Sequence, residues 1–115
     1  MNENTSLPQH RLVAYSVARD LVVAVVAAEI RDPTFRDHAL RAAKSAAFNT
    51  AEGAGRMSPA DKARAFAIAR GEASEAAAAV EIAALRGDAS AAAAAEVQRL
   101  ASRLTAMLAP LARRR

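Results

Sequence analysis

Residues 48–61 read FNTAEGAGRMSPAD, and this stretch decides the fold, because it closes one helix and opens another within a few residues. Gly53 and Gly55 follow an alanine-rich run and supply a C-terminal stop. Ser58 is a favoured N-cap, Pro59 fits the first helical position, and Asp61 places a carboxylate three residues after the cap. A stop and a start so close together predict two neighbouring helices on a short connection.

Working outward, the second helix is expected over residues 35–53 and the third over 59–86, ending before Gly87. Asp88 is positioned to cap a fourth helix over 89–109, with Pro110 disturbing its last turn. Upstream, the valine-rich run from Leu21 to Val26 has strand propensity, but its flanks YSVARD and AAEIRD continue a helical pattern. One helix over 11–31 follows, broken by Pro33. Residues 1–10 read as a flexible lead-in and 113–115 as a basic tail. With no alternating segment anywhere, the expected fold class is all-α, an antiparallel up-down four-helix bundle.

The chain has 115 residues, enough for one domain, and no cysteine. Its start is polar and unlike a signal peptide, and its longest apolar run, LVVAVVAA, falls short of the roughly 18 residues of a membrane span. A soluble, cytoplasmic protein with no membrane partner is the expectation. The net charge is +4, from 16 bases and 12 acids. Without Arg113, Arg114 and Arg115 the balance is 13 against 12, so the surplus sits mainly in the tail.

On the fourth helix Val97, Leu100, Leu104, Met107 and Leu111 fall on three- and four-residue steps, the seam of a packed helix. The first helix is apolar on every side from Leu21 to Ala28, more than a small bundle can hide, which predicts a homo-oligomer. On the second helix Arg41, Ser45, Phe48, Asn49 and Glu52 fall within about 100° of one another, opposite Ala42, Ala43, Ala46, Thr50 and Gly53. On the third, Arg70 lies about 40° from Phe66, on the apolar side. An inward arginine needs a partner. Glu52 is the expected one, with Ser45 and Asn49 completing hydrogen bonds and Arg56 and Glu75 in the same network or subunit interface. The blander alternative is a solvated helix face.

The same stretches carry a family resemblance. LRAAKSAAFNTAEGAGR followed by AFAIARGEASE resembles the 23S ribosomal RNA intervening-sequence proteins, through Ser45, Asn49, Ala51, Glu52, Gly53, Gly55 and Arg56, then Ala69, Arg70, Gly71 and Glu75. LVAYSVARDLV and RLTAMLAPL are similar too, whereas Glu72 stands where the family commonly has serine. The resemblance implies a four-helix bundle, self-association (some relatives are pentamers), and a connection with RNA. It implies no known reaction.

No enzyme is expected from the residues themselves. His10 and His38 have Leu7 and Phe35 three positions earlier, so the Glu-x-x-His pairs of di-iron bundles are missing. EGAGR leaves a helix and opens none, unlike a phosphate loop. No catalytic residue, metal or cofactor is assigned. Two binding readings remain. Arg99, Arg103, Arg113, Arg114 and Arg115, gathered by symmetry, would hold RNA by its phosphates; with Tyr15 and three phenylalanines, base stacking is poorly supplied. Alternatively the chain is a scaffold for another protein, since Ile68 and Ile82 share the helix side of Arg64 and Glu75.

Overall fold

The computed structural model describes residues 7–113 and contains four helices, with no strand among the described residues. A short 3-10 turn at Pro8–Arg11 leads into α1 (Val13–Ala27), α2 (Pro33–Gly55), α3 (Pro59–Leu85) and α4 (Ala91–Ala112). The protein is all-α. Helix α2 lies along α3 and α3 along α4, while α1 meets α2 and α4 and touches α3 only marginally.

The helix ends show which residues set them. Helix α1 stops at Ala27, earlier than Arg31, because Glu29 adopts φ 47°, which no right-handed helix accommodates. Pro33 does not merely break the chain; it is the first residue of α2, behind Asp32, whose carboxylate accepts from the N–H groups of Thr34 at 2.8 Å and Phe35 at 3.3 Å. Ser58 caps α3 as its sequence suggests, its hydroxyl accepting from the Asp61 N–H at 3.0 Å. Asp88, however, does not cap α4. Its N–H bonds the Ala83 carbonyl at 2.8 Å while that of Gly87, at φ 83°, bonds Ala84, a Schellman stop for α3. Ser90 is the α4 cap, accepting from Ala93 at 3.0 Å. The α4 helix then carries Pro110 and continues to Ala112.

Arg86 binds two of these connections together. Its guanidinium lies 3.5 Å from the Asp32 carboxylate, 3.7 Å from that of Asp88, and over the Phe35 ring at 5.0 Å. The Arg31 N–H donates to the Asp88 carbonyl and its side chain to that of Gly87. One end of the fold is thus closed by polar contacts between its two loops.

Alanine builds the core between α2 and α3. Ala39, Ala42, Ala43 and Ala46 of α2 are buried, as are Ala69, Ala73, Ala76 and Ala83 of α3. Small side chains bring backbones close, and alanine is the best helix former, so these positions favour helix and contact at once. Bulk comes from the other pair: Val17, Leu21 and Val25 of α1, and Val97, Leu100, Leu104 and Leu108 of α4. The α4 seam therefore turns to Leu108, leaving Met107 and Leu111 half-buried.

Gly53 does more than end a helix. It lies inside α2, and a Cβ there would sit 2.6 Å from the Phe66 ring. Phe66 is seated on the glycine. Gly71 faces open space within α3. Gly53→Ala is expected to destabilise by up to about 2 kcal/mol, because overpacking of about 1–3 kcal/mol offsets or outweighs the helix-propensity gain of about 1 kcal/mol. Gly71→Ala should instead stabilise by about 0.5–1 kcal/mol. Urea denaturation of both variants checks the contrast, and equal stabilisation by both would show that the ring yields freely.

Candidate functional site

The polar line of α2 emerges along the groove between α2 and α3. Its opposite face, from Ala42 to Gly53, is buried against the bundle, which obliges Arg41, Ser45, Asn49 and Glu52 to face outward or sideways. The Asn49 amide donates to the Ser45 carbonyl at 2.9 Å and to its hydroxyl at 3.2 Å. One turn on, Arg56 Nη2 donates to Glu52 Oε2 at 2.6 Å. These bonds run along one helix, not between two. Thr50, the one buried polar residue among the described residues, likewise donates back to the Ala46 carbonyl at 2.7 Å.

This arrangement corrects the expected network. Within the chain Glu52 is paired with Arg56, and Arg70 is exposed with no ion pair among the described residues. Although Arg70 is only about 40° from Phe66, it stands at the border of the buried stripe, where a long side chain reaches solvent. Its position along α3 also works against the pairing. Gly53 meets Phe66, so Glu52 faces the stretch around Arg64 and Ile68, with which it lines a cavity of about 310 Å³. Asn49, Arg56 and Asp61 share that lining.

One side-chain pair that does join the two helices is His38 Nε2 with Glu75 Oε2, at 2.9 Å. His38 reads in sequence as an isolated helix-start residue. The available signal is its spacing, since it lies three residues before Arg41 on the same helical row. Arg41 itself is exposed and has no ion pair among the described residues. Two further ties were invisible to periodicity. The Lys62 ammonium donates to the carbonyls of Gly53 at 3.2 Å and Ala54 at 2.9 Å, satisfying the end of α2. Gln98 of α4 donates to the Ala77 carbonyl of α3 at 2.8 Å.

The arginines assigned to nucleic acid divide. Arg99 forms a two-point pair with Glu96, at 2.9 and 2.8 Å, and its hydrogen bond holds the Glu96 carboxyl below the ordinary carboxylate range. A lowered carboxylate stabilises the fold above its unfolded-state pKa, and that contribution fades as acid carries the pH through the lowered value. Arg103, one turn on, is exposed with no ion pair among the described residues, and Arg113 is exposed beyond the end of α4. Arg114 and Arg115 lie outside the described residues. No three His, Asp or Glu side chains among the described residues are grouped to hold a metal ion, and no helix there is long and apolar enough to cross a membrane.

The fold places the chain among four-helix all-α proteins. The model of the 23S rRNA-intervening sequence protein matches residues 10–110, and the chain belongs to that family. Among curated proteins, none matches the chain closely enough to count as a relative.

Because both partners of the Glu52–Arg56 pair are about half exposed, removing one is a surface change. Glu52→Ala should leave the midpoint of thermal unfolding close to that of the parent chain. A collapse of the melt would instead mean that Glu52 meets a partner beyond its own chain.

Proposed function

We propose that this chain is a non-enzymatic subunit of a homo-oligomer, an antiparallel up-down bundle whose copies associate head to tail and hold RNA by its phosphates, without sequence preference. The observation that carries the association is a pair of separate apolar surfaces. On α1, Val23 and Val26 are 66 % and 59 % exposed; on α3, Ile68 and Ile82 are 43 % and 46 % exposed. Helices α1 and α3 barely touch, because each packs chiefly on α2 and α4, so these outer surfaces face different directions. An isologous dimer would cover one surface twice and leave the other wet. A head-to-tail contact covers both and repeats until a ring closes. The resemblance to a family in which some relatives are pentamers supports a ring of five.

The RNA part of the reading is supported by the net charge of +4 and by Arg103 and Arg113, exposed cations that a ring would repeat in every subunit. The Arg99–Glu96 pair favours the second reading, a scaffold whose exposed helix faces receive another protein. That pair is spent locally, and it leaves fewer cations for phosphate.

Two measurements separate the parts. Val23→Asp with Val26→Asp should convert the oligomer to a folded monomer by light scattering, and an unchanged mass would remove the α1 surface from the interface. Binding of single-stranded RNA should weaken with salt with a log–log slope of about −0.7 for each phosphate contacted, and a chain ending at Ala112 should show a shallower slope. Absence of binding by both chains favours the scaffold.

A further inference from the structure

We propose that a cavity at the end of the bundle where α2, α3 and α4 meet the first turn binds a small amphipathic carboxylate. Its apolar body would lie against Leu12, Phe66 and Leu111, with its head group between Arg11 and Lys62. The cavity has a volume of about 480 Å³ and is lined from four separate parts of the chain. That volume falls inside the roughly 300–1,000 Å³ of small-molecule sites. At roughly 30 Å³ for each water-sized group, it holds a head group and a chain of about ten carbons.

The chemistry of the walls selects the ligand. Leu12, Phe66 and Leu111 form an apolar interior with Met57, 94 % exposed, at its mouth. Its only ionisable lining residues are Arg11 and Lys62, and no carboxylate lines it among the described residues. Lys62 is held in place by the Gly53 and Ala54 carbonyls, which take two of its three donors and leave one. Arg11 is exposed and has no ion pair among the described residues, so its planar fork can meet a carboxylate edge. The two helix-end carbonyls already offset part of the Lys62 charge, which suits a monoanion better than a phosphate. Apolar walls with two cations and no acid complement a molecule that is greasy at one end and anionic at the other. The inference is independent of RNA binding and of the oligomer.

Decanoate is the probe. Calorimetric titration of the full chain should give one site per chain, with methyl NMR shifts confined to Leu12, Ala54, Met57 and Leu111. Decanol, equally greasy but uncharged, should bind about tenfold more weakly. Arg11→Gln, a surface substitution expected to fold normally, should weaken decanoate about tenfold and leave decanol unchanged. The proposal is overturned by absence of saturable binding below millimolar decanoate, by decanol binding as tightly as decanoate, or by shifts centred on Val23 and Val26.

Discussion

The structure depends on the close approach of α2 and α3, made of alanine methyl groups with Gly53 beneath the Phe66 ring. Each alanine buries little apolar surface, so the contact draws its strength from number and proximity and not from any single large side chain. A thin contact tolerates little extra volume. It also leaves each helix a narrow inward face, and the rest of its circumference must find water or another surface.

That constraint explains the polar row. Once Ala42, Ala43, Ala46, Thr50 and Gly53 are committed inward, Ser45, Asn49 and Glu52 emerge along the groove, where partners on their own helix are nearest. The result is a set of local bonds, joined to α3 by His38–Glu75. The same constraint leaves Val23 and Val26 outside on α1 and Ile68 and Ile82 outside on α3. These exposed apolar surfaces are therefore a consequence of how little the small-residue core can cover.

The two ends of the bundle differ in kind. One end is closed by Arg86 between Asp32 and Asp88, with Arg31 reaching the Gly87 carbonyl, so it is satisfied by polar contacts. The other has Lys62 closing α2 above an apolar hollow. Charge and apolar surface coincide at that second end, where the first turn packs over the bundle.

The sequence by itself determined the four helices and their caps at Ser58 and Gly87, because caps, glycines and prolines act within a few residues of themselves. It also determined the buried row of α2 and the excess of apolar surface on α1, since periodicity alone separates one face from another. Only the tertiary structure decided that Asp32 opens α2, that Ser90 and not Asp88 opens α4, and that Glu52 turns to Arg56 while Arg70 reaches solvent. Angle around a helix can be counted from residue numbers. The axial offset between two helices cannot: it was set by Phe66 settling on Gly53, and that offset decides which side chains can meet.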